Sequence, residues 1–236
     1  MIPIFISYWW GRDNICRNTR FLYDNKKCQK NFTSTYNQLA ERLEKNLKDL
    51  QLECYIEEHP EFDNKDMYQI GINYKPFFIL DMIRKFKRPV VYIDIDVIVY
   101  KKPLLFDTEY FDFMAFNWNA DPRVGTKIDF GTLETNGEVF YFNNTVASVS
   151  LLSSWCWYSR KFPKKADDRI LSTVFHKYKF IDQYKLKCYW LPMEYLHIPQ
   201  YYKIQNPIIQ HPHKSTHHNS CLLHILVCQP GHDLSK

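Results

Sequence analysis

The stretch Val90-Val91-Tyr92-Ile93-Asp94-Ile95-Asp96-Val97-Ile98-Val99-Tyr100 is apolar except for two acids. β-Branched and aromatic residues in a run without polar alternation predict a strand buried on both faces, as inside a parallel sheet. Immediately upstream, Pro76 in a first turn followed by Phe77, Phe78, Leu80, Ile83 and Phe86 predicts a helix starting near Tyr74, stopped by Lys87-Arg88-Pro89. Further back, Glu53 to Glu58 reads as a short strand leading into a loop at His59-Pro60. Before that, Tyr36, Leu39, Leu43, Leu47 and Leu50 mark one face of an amphipathic helix with Ser34 at its N-cap. The chain opens on a strand-like run, Ile2 to Trp9, that ends in a polar loop. Strand, helix, strand, helix, strand is the order of an α/β fold: a mixed, mostly parallel sheet flanked by helices. Downstream, strands are expected at Phe113 to Trp118, at Glu138 to Asn143, and at either Phe180-Ile181 or Cys188 to Leu191. Helices are expected at Val146 to Arg160 and Asp167 to Tyr178.

Composition narrows the class. The 236 residues fit one α/β domain, and 45% hydrophobic with 17% aromatic content excludes disorder. A net charge of +5 is far below the dense basic stripe of a nucleic-acid binder, so no nucleic-acid partner is expected; phosphorylated small molecules fit it equally well. Seven scattered cysteines without a C-x-x-C pair point to free thiols. The first residues lack the basic region of a signal peptide, which predicts a cytoplasmic location and makes the sequons at Asn31 and Asn143 chance occurrences. No apolar run approaches the ~20 residues of a membrane span. No linker divides the chain, but the His-rich composition after Gln210 sets residues 1–210, the domain, apart from a segment at 211–236. In that segment Cys221 to Cys228 reads first as core packing, with an oligomer contact or surface docking as alternatives.

The two acids carry the chemistry. Side chains one residue apart share a face of an extended chain, and at the carboxyl edge of a parallel sheet that face opens on the ligand crevice. Mg²⁺ or Mn²⁺ together with diphosphate oxygens would satisfy such carboxylates; so would a Lys or Arg partner, or solvent. A haloacid-dehalogenase-like phosphatase is an alternative, with Asp94 as nucleophile and Asp96 as acid/base. Against it, a long stretch precedes the motif and no Gly-Asp-x-x-x-Asp signature follows. A non-catalytic nucleotide-sugar-binding module is a further alternative. Gly137 either permits close approach of a ligand or makes a plain turn. Trp118, Trp155, Trp157 and Trp190 are core aromatics first and sugar platforms second.

The run from Asn73-Tyr74-Lys75-Pro76-Phe77-Phe78-Ile79 through Arg88-Pro89 and the D-x-D to Lys102-Pro103-Leu104 resembles the D-x-D glycosyltransferases of the GT-A fold. Glu134-Thr135-Asn136-Gly137-Glu138 with the strand after it, Trp155, and Asp167-Asp168-Arg169-Ile170-Leu171 are similar to later segments of that family. The resemblance implies a single Rossmann-like GT-A domain that moves a sugar from a nucleotide-diphosphate donor, a UDP- or GDP-sugar, to a hydroxyl of a carbohydrate or glycoconjugate acceptor, using Mn²⁺ or Mg²⁺. It implies that Asp96 binds the metal, that Asp94 contacts the ribose or shares the metal, and that His211 or His213 completes the metal site. It also implies that Lys75 and Lys214 lie near the donor phosphates, Tyr8 near the base or ribose, and Gly137 against the sugar. Asp167 matches an Asp that binds the transferred sugar. Asp168 stands where the family has Gln, so the catalytic pair Asp167 and Asp168 has its roles open: general base, nucleophile or hydrogen-bond acceptor. The family lean is to retention of configuration. An acceptor pocket is expected from loops at Asp121 to Asp129 and Trp190 to Tyr202.

Overall fold

The computed structural model describes residues 2–11, 23–24, 27–28, 35–63, 67–120, 132–135, 137–178, 180–198 and 204–211. Along the chain come β1 (Ile4–Trp9), a short hairpin of β2 (Tyr23–Asp24) and β3 (Lys27–Cys28), α1 (Tyr36–Asp49), β4 (Cys54–Glu58), α2 (Tyr68–Asn73) and α3 (Lys75–Phe86). They are followed by β5 (Val90–Ile93), β6 (Ile98–Val99), β7 (Phe113–Ala115), β8 (Val139–Phe142), α4 (Val146–Lys161), α5 (Asp167–Lys177), α6 (Phe180–Gln183), β9 (Cys188–Trp190) and β10 (Ile209–Gln210).

The main sheet runs β4-β1-β5-β8-β7-β9. β1 pairs in parallel with β4 and β5, and β7 in parallel with β9, while β8 runs antiparallel between β5 and β7. Alternating side chains divide between two cores. Ile4, Ile6, Tyr8, Val90, Tyr92, Phe140 and Phe142 pack with α3, α4 and α5 on one face. On the other face, Phe5, Trp9, Val91, Ile93, Val139 and Tyr141 pack with Leu39, Leu43 and Leu47 of α1. This is the mixed, mostly parallel sheet flanked by helices that the sequence predicts, in one domain.

Several details differ from the sequence reading. The apolar run is not one strand: β5 ends at Ile93, and the amide of Val97 donates to the Asp94 carbonyl at 3.2 Å, closing a turn. β6 then leaves the main sheet to pair antiparallel with β10. Ile95 and Val97 are buried beneath α1, so the apolar run reported burial, which a turn inside a core shares with a strand. The helix cap is Thr35, not Ser34. Its hydroxyl accepts from the Gln38 amide while the Gln38 side chain accepts from the Thr35 amide, a capping box. A helix, α2, occupies part of the expected loop before α3, and Phe180-Ile181 falls in α6, leaving Cys188 to Leu191 as the strand option that forms.

Cys54, Cys156 and Cys188 are free thiols. Asn143 of the second sequon is buried, its amide donating at 3.0 Å to the carbonyls of both Glu109 and Phe111. Asn31 lies outside the described residues. Among the described residues no helix is long and apolar enough to cross a membrane.

Candidate active site

Three backbone devices bring the acids to one place. β5 delivers Asp94 at its carboxyl end, on the face that Tyr92 shares, and the Tyr92 hydroxyl donates to Asp94 Oδ1 at 2.7 Å. α1 braces the following turn: Arg42 Nη2 donates to the Asp96 carbonyl at 2.8 Å, and the Val99 amide donates to Asn46 Oδ1 at 2.7 Å. The pairing of β6 with β10 then carries His211 back to the turn. Its Nε2 lies 3.3 Å from Asp96 Oδ1, and ligand atoms of Asp94, Asp96 and His211 all fall within 4.8 Å of one another.

β8 adds a residue the sequence reading did not assign. In the β5–β8 register Ile93 pairs with Val139, so Glu138 lies across from Asp94, whose amide donates to the Glu138 carbonyl at 3.0 Å. Glu138 Oε1 is 3.3 Å from His211 Nδ1. Its Oε2 is buried without a hydrogen-bond partner. Like charges facing each other across an antiparallel pair repel, and an unsatisfied buried carboxylate oxygen costs more still.

The other half of the site gathers around Lys75, at the start of α3. Its Nζ lies 2.7 Å from Asp167 Oδ2 and 3.4 Å from Asp94 Oδ1, and donates to the Gly137 carbonyl at 2.8 Å. Asp167 and Asp168 occupy the first turn of α5, where the helix dipole favours acids, and both are buried. Trp155 fixes that turn by donating its indole N–H to the Asp167 carbonyl at 3.1 Å, so it belongs to the core rather than to a sugar platform. At its rim Arg169 pairs with Glu134 at 3.0 Å. Gly137 has φ +80°, and a Cβ there would stand 3.2 Å from Lys75 Nζ, 3.5 Å from Asp167 Oδ2 and 3.6 Å from Asp168 Cβ.

The electrostatics follow from this packing. Burial disfavours charge on Lys75, but Asp167 and Asp94 outweigh it and hold the ammonium above its ordinary range. Burial likewise opposes His211, yet Glu138 and Asp96 push it up to about 10. Burial pushes Glu138 up to about 8. It also raises Asp94 against the pull of Lys75, and raises Asp168 with help from Asp167. Around His211, then, three carboxylates face one imidazole. Two carboxylate oxygens and an imidazole nitrogen are a ligand set for a divalent cation, and the orphaned Glu138 oxygen is what an added positive charge would relieve.

Of the residues singled out in the sequence, the structure gathers Asp94, Asp96 and His211 into one cluster and Lys75, Gly137, Asp167 and Asp168 into an adjoining one. Lys75 is buried rather than exposed at its helix start. Tyr8 lies in the core, its hydroxyl donating to the Gly71 carbonyl at 2.7 Å. His213, Lys214, the segment Cys221 to Cys228 and the loop Asp121 to Asp129 lie outside the described residues. Glu138, Tyr92 and Arg42 join the site unannounced. An acid opening an otherwise apolar strand, Glu138-Val139-Phe140-Tyr141-Phe142, was the available signal for the first.

Known proteins identify the family and the fold. A family model described as nucleotide-diphospho-sugar transferase matches residues 41–234, most of the chain, and leaves the phosphatase alternative without support. No curated protein matches. Among solved structures, a glycosyltransferase involved in glycosylation of the major capsid of PBCV-1 is similar with a TM-score of 0.54 at 11% identity, over 95% of this chain and 99% of that one. The glycosyltransferase GlyE of Streptococcus pneumoniae TIGR4 gives a TM-score of 0.53 at 15% identity, over 90% of this chain. The present chain spans 55% of GlyE. At such identities the likeness shows the fold, which is GT-A.

Proposed function

Because the chain belongs to the nucleotide-diphospho-sugar transferase family, we propose that this glycosyltransferase moves a sugar from a UDP- or GDP-sugar to a hydroxyl of a carbohydrate or glycoconjugate acceptor, with a divalent cation held by Asp94, Asp96 and His211. The observation that carries the metal is the convergence of those three side chains, from two distant segments, within 4.8 Å. These residues would hold a cation that, when bound, would offset diphosphate charge as the nucleotide leaves. Mn²⁺ suits a set containing an imidazole better than the harder Mg²⁺.

The chain's own residues do the rest. Lys75 locks Asp167 and the Gly137 backbone in register, and places a positive charge beside Asp94 at the phosphate end. Gly137, without a side chain, lets its backbone come up against Lys75, Asp167 and Asp168, the acids beside which the donor sugar binds in this reading. Asp167 orients sugar hydroxyls as a hydrogen-bond acceptor. Asp168, raised by burial, is the carboxylate beside the reacting carbon, and transfer retains configuration. Residues 1–210 form the transferase domain, and the segment from His211 completes the metal site, with His213 and Lys214 following it.

A thermal-shift screen of UDP- and GDP-sugars with and without Mn²⁺ tests this. A donor at a hundred times its Kd adds about 2.7 kcal/mol of stability. The shift should need Mn²⁺ and vanish in Asp96→Ala; a shift that survives that change sinks the metal assignment. NMR of the product anomer decides retention, and Asp168→Asn should lower kcat on the order of 10²–10⁴-fold if the carboxylate acts in the chemistry.

A further inference from the structure

We propose that Glu138 is a positioning residue of the metal centre, an outer carboxylate that holds His211 by Nδ1 and so turns Nε2 toward Asp96 and the cation. The inference rests on the metal reading above and extends it to a residue with no assigned role. The two ring nitrogens of His211 face away from each other. Nε2 lies 3.3 Å from Asp96 Oδ1, while Nδ1 lies 3.3 Å from Glu138 Oε1. An ion bound through Nε2 would lie across the ring from the Glu138 contact, and Glu138 is not among the converging ligand atoms of Asp94, Asp96 and His211, so it acts on the ring and not as a ligand. A carboxylate behind a metal-bound imidazole fixes the tautomer with the proton on Nδ1, sets the ring plane and strengthens Nε2 as a donor.

The surroundings leave Glu138 little else to do. Its side chain is buried, 3% exposed, among Asp94, Asp96 and His211. Its backbone is already fixed by the Asp94 amide, so the carboxylate is not needed to hold the strand. The position immediately precedes β8, whose Val139 to Phe142 are all apolar, so the acid interrupts a hydrophobic pattern that the strand itself would continue. It stands behind His211, near Asp94 and Asp96.

The test is a double-mutant cycle read by Mn²⁺ titration in a calorimeter on the full chain, with near-ultraviolet circular dichroism to confirm folding. Glu138→Leu should weaken Mn²⁺ binding about 10- to 100-fold, and Glu138→Gln, which keeps the shape and an acceptor oxygen, should weaken it less. In a His211→Ala background, Glu138→Leu should cause no further loss, because its effect passes through the ring. Wild-type affinity in both single variants overturns the proposal, as does a full additional loss in the double variant, which would signal a structural or direct ligand role. A wild-type chain that binds no Mn²⁺ overturns the metal reading itself, an outcome distinct from the other two.

Discussion

Lys75 shows how a single side chain turns an unfavourable cluster into a scaffold. Asp94, Asp167 and the Gly137 carbonyl converge on one buried ammonium, and without it the two acids would face each other in a medium that tolerates neither charge. Gly137 is part of the same device. Its positive φ and the 3.2 Å space above it let the backbone come close enough to accept from Nζ, which an alanine would both strain and crowd. The surface alternative for a lysine at a helix start fails here because Nζ is buried and Asp167, Asp94 and the Gly137 carbonyl take the place of water. Removing only the cation, in Lys75→Met, leaves buried carboxylates uncompensated, and the expected loss of stability is about 3–5 kcal/mol. Urea unfolding measures it; a loss below about 1 kcal/mol would mean the acids find protons or water instead.

At the level of elements, α1 does more than cover one face of the sheet. Arg42 and Asn46 lie one helical turn apart and grip the Asp96 carbonyl and the Val99 amide, so the helix fixes both ends of the turn that presents the second acid. Asn46→Ala leaves the Val99 amide without its acceptor, at a cost of about 1–3 kcal/mol. Thr35→Ala removes the helix cap for about 1 kcal/mol without touching the turn. Mn²⁺ affinity should therefore fall in Asn46→Ala and hold in Thr35→Ala; equal affinities would show that the turn keeps its shape unaided. The same comparison shows what the sequence could reveal. Leu39, Leu43 and Leu47 announced the helix and its buried face by spacing alone, and the D-x-D announced the site by its apolar setting. The break of β5 at Ile93 was hidden because Ile95 and Val97 are as buried in the turn as they would be in a strand. Glu138 was visible as an acid opening an apolar strand, but its place opposite Asp94 was hidden, because that depends on the β5–β8 register, which neither segment records by itself.

For the whole molecule, the site sits where the sheet changes character. β4, β1 and β5 run parallel, β8 reverses the direction, and the seam between β5 and β8 is where Asp94 and Glu138 meet. An open α/β sheet places its ligand crevice outside the carboxyl ends of its parallel strands, which is where β5 delivers Asp94. Yet His211, the third member of the proposed metal site, comes from outside that sheet. His211 follows β10, a two-residue strand held by β6, by the Tyr100 amide on the Ile208 carbonyl and by the His211 amide on the His197 carbonyl. Ladders this short are marginal by themselves, so this corner should open more readily than the six-stranded core. A cation gripped by both Asp96 and His211 would cross-link the corner to the D-x-D turn, and binding that favours the closed form lowers the open population in proportion. Amide hydrogen exchange at Tyr100, Ile209 and His211 should consequently slow when Mn²⁺ and UDP are added together, while amides of β1 and β5 stay as they were. The effect should disappear in His211→Ala. Nucleotide binding that leaves those three amides unchanged in the wild-type chain would mean that the C-terminal histidine takes no part in holding the cation, and that the metal rests on the two aspartates alone.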